Sequence, residues 1–261
     1  MGKITSALKK AAENRIDRFD KIARIREHDQ LVIKKMNDSK VDQRVIAYFD
    51  PKALITEQYK ILRTNVLSIS KTKPPKVLAV TSSIHSEGKT LTALNLAVAI
   101  AQTTHKPRVL LIDADLRRGR VAKYLGIKQP AGLTEILKEE VNPSDALFNI
   151  DVENLTFIAS GAIPSNPVEL LSSDRMHRLL LLMRSKFDHI LIDTPPVISV
   201  TDSGIIGSQS DGVLLIIQAG RTQRGIVKRA TELLEQAHSK VLGYILTNIE
   251  YHLPEYIYRY L

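Results

Sequence analysis

Ser83-Ile84-His85-Ser86-Glu87-Gly88-Lys89-Thr90 decides the reading of this chain, because an apolar strand pattern over 76–81 runs into it and a helix-forming stretch over 90–102 runs out of it. A strand, a tight loop and a helix start are what a phosphate loop needs: backbone N–H groups and the helix N-terminus hold phosphate. Ser86, Glu87, Gly88, Lys89 and Thr90 are therefore the candidate phosphate-loop residues. Lys89 would reach the β- and γ-phosphates, and the Thr90 hydroxyl would bind Mg²⁺. Ser83 stands where a first glycine is usual, so the loop persuades through its context more than its letters.

Two later segments supply that context. Leu110-Leu111-Ile112-Asp113-Ala114-Asp115 and Ile190-Leu191-Ile192-Asp193 are apolar strands ending in carboxylates. Asp193 is placed to hold the same metal as Thr90, and its run into Thr194-Pro195-Pro196 gives a rigid turn. Further strand patterns fall at 155–159, 188–193, 212–218 and 241–246, with the second at 108–113. Their apolar runs are continuous, as in strands covered by helices on both faces. The expected fold is α/β: a doubly wound, mainly parallel sheet flanked by helices, of the P-loop NTPase type, with an N-terminal helical extension. Ligands in such sheets sit beyond the carboxyl ends of the strands.

A chain of 261 residues, 44% hydrophobic, can bury a substantial core. It has no cysteine, which excludes disulfides and thiolate metal sites and points to a reducing compartment. No apolar run approaches the roughly 20 residues that span a bilayer, and no signal peptide pattern opens the chain. A cytoplasmic protein is expected. The formal charge of +9 suits an acidic partner such as a nucleotide or an anionic membrane surface. Nucleic acid is not expected, since aromatics are few and no basic recognition helix presents itself.

Three regions follow. Residues 1–50 are a basic helical extension and linker: Ile4, Leu8, Ala11, Ala12, Ile16, Phe19, Ile22 and Ala23 share one helical face, which would dock on protein or lie on an anionic membrane surface. The stretch 27–50 reads as linker. Residues 51–250 hold the nucleotide domain, opening with a helix over 53–69 whose Leu54, Ile61, Leu62, Val66 and Ile69 form an apolar face. Residues 251–261 are a tyrosine-rich tail, with Tyr251, Tyr256, Tyr258 and Tyr260 among the chain's eight tyrosines.

Residues 53–261 resemble the bacterial tyrosine kinases (BY-kinases) of capsule and exopolysaccharide synthesis. The resemblance rests on the loop and on Asp113-Ala-Asp115-Leu-Arg117, Gly132-Leu133-Thr134, 166–171 (Asn-Pro-Val-Glu-Leu-Leu), 187–196 and Thr201-Asp202. It implies a protein-tyrosine autokinase using ATP and Mg²⁺. Lys89, Asp113, Asp115 and Arg117 would be catalytic: one carboxylate would bind Mg²⁺ with Thr90 and Asp193, the other would accept the tyrosine proton, and Asp113 is the candidate for either role. Asn248, after the last strand, is placed where related ATPases contact adenine. Tyr251, Tyr256, Tyr258 and Tyr260 are similar to the cluster these kinases phosphorylate on neighbouring subunits. Glu57, Lys60 and Arg63 resemble the helix motif that seals subunits into a ring, with Lys60 where an arginine is usual, a weaker carboxylate partner.

The resemblance also implies a separate membrane-bound chain-length regulator as activator, and recruitment to the inner face of the plasma membrane. The rival reading is a Min- or ParA-type ATPase switch without kinase activity. Those ATPases carry an extra lysine early in the loop, where this chain has Ile84.

Overall fold

The computed structural model describes residues 34–35, 40–69, 75–128, 130–149 and 152–249. The expected helix over 4–25, the earlier part of the linker and the four tail tyrosines lie outside the described residues. The sheet is built from β1 (Lys34–Lys35), β2 (Val77–Ser82), β3 (Val109–Asp113), β4 (Phe148–Asn149), β5 (Leu155–Ile158), β6 (His189–Asp193), β7 (Gly212–Gln218) and β8 (Val241–Thr247). Their spatial order is β1-β4-β5-β3-β6-β2-β7-β8. All neighbours are parallel except β4 and β5, which run antiparallel. The six longer strands fall where the apolar runs predict them. The two-residue strands β1 and β4 do not show in the sequence, because a pair of residues carries no periodicity. Phe148 earns its place by packing its ring 5.6 Å from that of Phe157.

Every residue of β2 and β3 is buried, which explains why their sequences are apolar without alternation. Between β2 and β3 the chain forms the helix α3 (Lys89–Ala101), preceded in the chain by α1 (Ile46–Phe49) and α2 (Leu54–Leu67). Helix α3 is buried on nearly its whole circumference; only Lys89 and Leu91 reach partial exposure. That requires protein on the side away from the sheet. Helices α1 and α2 provide it.

Residues 40–50 are thus part of the folded body, although the sequence reads as linker there. Val41, Val45 and Ala47 are buried, and Asp42 N–H donates to the Tyr124 carbonyl at 2.8 Å. Gly126, at φ +69°, lets the backbone of Lys40 approach so closely that a Cβ would sit 2.1 Å from the Lys40 carbonyl oxygen. The apolar run Val45-Ile46-Ala47-Tyr48-Phe49 is only one helical turn long, too short for its periodicity to tell docking from linker.

The clamp that holds this segment is Asn95, buried in the middle of α3. Its Oδ1 accepts the Ala47 N–H at 3.0 Å, and its Nδ2 donates to the carbonyls of Arg44 at 3.2 Å and Leu91 at 2.9 Å. Asn95→Ala should lower the unfolding free energy by about 1–3 kcal/mol, the cost of stranding a buried donor and acceptor. Urea titration measures the loss, and hydrogen exchange should quicken at 44–48. An unchanged urea midpoint would show that the clamp contributes nothing.

Candidate nucleotide site

Strand register assembles the site. Asp113 and Asp193 are Cα partners on β3 and β6, and Asp193 is also paired with Val80 on β2, just before the strand releases the loop. The loop rises from Ser82 and enters α3 through Gly88, whose φ of +90° is comfortable only for glycine. As in any helix, the first N–H groups of α3 have no intrahelical acceptor, so they are available to an anion.

Lys89 and Thr90 then face the carboxylates. The Lys89 ammonium lies 3.1 Å from Asp115 Oδ2 and 3.4 Å from each Asp193 oxygen. The Thr90 hydroxyl donates to Asp193 Oδ2 at 2.6 Å. Asp113, Asp115 and Asp193 are all buried. Asp113 accepts the N–H groups of Asp115 at 3.2 Å and Val121 at 2.9 Å, which folds the turn after β3 back over the strand end.

Three carboxylates around one ammonium leave the pocket electron-rich. Burial, with the charge of Asp193 adding to it, pushes the Asp113 carboxyl up to about 7. Burial likewise raises Asp193, against the opposing pull of Lys89 and Thr90. Burial works against the charge on Lys89, yet Asp193, Asp115 and Asp113 together hold its pKa above the usual lysine value.

This donor set fits a magnesium–nucleotide pair. Among the described residues no three acidic or imidazole side chains converge to cage a metal unaided. Mg²⁺ asks for less: one or two carboxylates, with phosphate oxygens and water completing its octahedron. Thr90 and Asp193, already joined, are the residues that would hold it.

The Glu87 carboxylate turns inward, accepting the N–H of its own loop's Ile84 at 2.8 Å, so only its backbone is available to a phosphate. Arg117 is held by Asp202 through a two-point contact, Nε to Oδ2 at 2.9 Å and Nη2 to Oδ1 at 3.2 Å. The Asp202 carboxylate is wholly buried, and its position in the sequence gave no hint of a partner 85 residues away. Asn248 follows β8, exposed, with φ +54°. On α2, Lys60 pairs with Glu57 at 2.6 Å and with the Pro51 carbonyl at 2.7 Å, while Arg63 donates to the Ala99 carbonyl at 2.8 Å.

Known proteins share both sequence and shape. A family model described as an AAA domain matches residues 75–242. The tyrosine-protein kinase YwqD of Bacillus subtilis (strain 168) is 38% identical over 216 residues, which cover 83% of this chain and 90% of that protein. The chain belongs to the bacterial tyrosine kinases. Among solved structures, the kinase domain of the Escherichia coli tyrosine kinase ETK superposes with a TM-score of 0.73 at 29% identity, covering 80% of this chain and 84% of that one. The fold extends to a cobyrinic acid a,c-diamide synthase from Mycobacterium smegmatis with bound ATP analogue and magnesium, at a TM-score of 0.59 and 25% identity over 68% of this chain and 77% of that one. Membership in a protein-tyrosine kinase family leaves the reading as a Min- or ParA-type switch the less supported one.

Two outcomes test the geometry of this bacterial tyrosine kinase. Arg117→Ala should destabilise the fold by about 2–3 kcal/mol, since it strands the buried Asp202; the arginine's partial exposure keeps the figure below that for a fully buried pair. Arg117→Lys should recover little, as an ammonium cannot make the two-point contact. Melting temperatures equal to wild type would refute this. The second outcome concerns pH. The Asp113 value rises from 3.8 to about 7 on folding, so the folded state binds the extra proton between them. Its contribution therefore makes stability fall as pH climbs from about 4 to about 7. Chemical unfolding in chelator, without nucleotide, should show a shallower fall for Asp113→Asn.

Proposed function

We propose that the site binds ATP with Mg²⁺ and transfers the γ-phosphoryl group to tyrosines in the tail of a neighbouring copy. The observation that carries this is the convergence of the Lys89 ammonium, the Thr90 hydroxyl and the carboxylates of Asp113, Asp115 and Asp193 at the end of a phosphate loop. In the transfer, a tyrosine Oη bonds to the γ-phosphorus as the bond to the bridging oxygen breaks, ADP leaves, and the phenolic proton passes to a carboxylate. Asp113 or Asp115 accepts that proton. The raised pKa of Asp113 suits a base, while its two N–H donors also suit a positioning role. Thr90 and Asp193 would hold Mg²⁺, which would supply charge neutralisation at the phosphates.

Lys89 supplies positive charge at the phosphates, and its three carboxylate neighbours hold its amine in place. Arg117, anchored on Asp202, lends charge from a fixed position. Asn248 would touch the adenine. Tyr251, Tyr256, Tyr258 and Tyr260 are the proposed acceptors, and Glu57, Lys60 and Arg63 the ring contact. The resemblance to polysaccharide-linked kinases supports a role in exopolysaccharide or capsule synthesis, with a separate membrane-bound chain-length regulator as activator. Among the described residues no helix is long and apolar enough to cross a membrane. Recruitment to the inner membrane face would come from that partner or from the basic N-terminal segment.

Lys89→Met should lose autophosphorylation, read by phosphotyrosine blotting, in a chain that circular dichroism still shows folded but less stable, because buried Asp115 and Asp193 lose their cation. Mixed with a protein whose four tail tyrosines are Phe, it should become labelled while the Phe chain stays bare. No phosphotyrosine in wild type would return the chain to a nucleotide switch. No label in a mixture that demonstrably associates would sink transfer between copies.

A further inference from the structure

Glu87 is 1% exposed, and among the described residues no cation forms an ion pair with it, an unusual setting for a carboxylate within a phosphate loop. Its partners are three neutral donors. Oε2 accepts the Ile84 N–H at 2.8 Å, and Oε1 accepts the Gln218 N–H at 3.2 Å and the Thr222 hydroxyl. Its main-chain carbonyl accepts the Thr247 hydroxyl at 2.8 Å. One residue earlier, the Ser86 carbonyl accepts from Arg221 at 3.3 Å, and Arg221 also donates to Gln218 Oε1 at 3.0 Å. Both the side chain and the backbone of the loop are thus tied to the carboxyl ends of β7 and β8.

The loop needs such ties. Ser86 stands at φ +65°, a left-handed conformation that a non-glycine residue holds only where its surroundings fix it. Between Ser86 and Gly88 the chain must reverse so that successive N–H groups line one concave face. A carboxylate suits the centre of this arrangement because only donors converge on it. An amide of equal size would set its NH₂ against an N–H.

We propose that Glu87 and Thr222 form a positioning latch: it fixes the curvature of the phosphate loop against the 218–222 segment and thereby sets nucleotide affinity. The inference rests on the reading of 83–90 as the ATP site. Neither side chain touches the nucleotide in this account. Thr222 acts through Glu87, and Glu87 acts through the backbone it bends. The latch is already closed in the ground state, so its loss weakens binding while leaving the transfer step nearly intact.

Thr222 is half-buried on a loop, so its substitution is compatible with folding. Thr222→Val removes the hydroxyl at constant size, Thr222→Ser restores it, and Glu87→Gln breaks the donor pattern from the other side. In the full chain, the initial rate of autophosphorylation is measured against MgATP concentration, and binding is measured with a fluorescent ATP analogue. Thr222→Val should raise both KM and Kd about tenfold with the maximal rate within about twofold, and Thr222→Ser should return both to wild type. Glu87→Gln with Thr222→Val should bind no worse than Glu87→Gln alone, because both act through one bond. A lowered melting temperature with unchanged Kd in Thr222→Val and Glu87→Gln would make these contacts merely structural and overturn the latch. Failure of the wild-type protein to bind ATP would instead strike the site assignment itself.

Discussion

Everything at the working end of this molecule depends on one buried ammonium. Lys89 reaches a depth at which its charge survives only because Asp115 and Asp193 lie within 3.4 Å and Asp113 stands behind them. The carboxylates in turn are tolerable only together with that charge and with the N–H groups that Asp113 collects. Sheet register is what makes the mutual dependence possible. A slip of one residue in the pairing of β3 with β6 would turn one aspartate to the opposite face and leave the lysine facing an uneven field.

The same dependence explains what the sequence exposes and what it hides. Strands β2, β3, β6 and β7 are legible because burial on both faces writes itself as unbroken apolar runs, mostly Val, Ile and Leu. The phosphate loop is legible because Gly88-Lys89-Thr90 must sit at one spacing from a strand and a helix. Contacts that join distant segments through a single polar side chain leave no such trace. Asn95 reaching Ala47, Glu87 reaching Thr222 and Arg117 reaching Asp202 each span dozens of residues with no periodicity between the ends.

Side-chain direction is the other quantity that a motif withholds. Glu87 lies inside the loop motif, yet its carboxylate points into the protein, and Arg117 lies in the segment after the acidic strand, yet its guanidinium is bound to a helix start elsewhere. Spacing tells which backbone positions share a loop. It does not tell which of them serve a ligand through the backbone and which through the side chain.

Helix α3 has a mechanical meaning beyond its packing. It is a rod of thirteen residues, on the order of 20 Å long, with the phosphate loop at its positive end. At its other end, Arg63 of α2 donates to the carbonyl of Ala99, placing a cation on the negative pole. Helix α2 also bears Glu57 and Lys60, so the face proposed to meet a neighbour is bolted to the far tip of the rod that carries the phosphate loop. A buried rod in a close-packed core bends little. The proposed contact face and the phosphate loop are therefore two ends of one stiff body, so that neither can be displaced without loading the other.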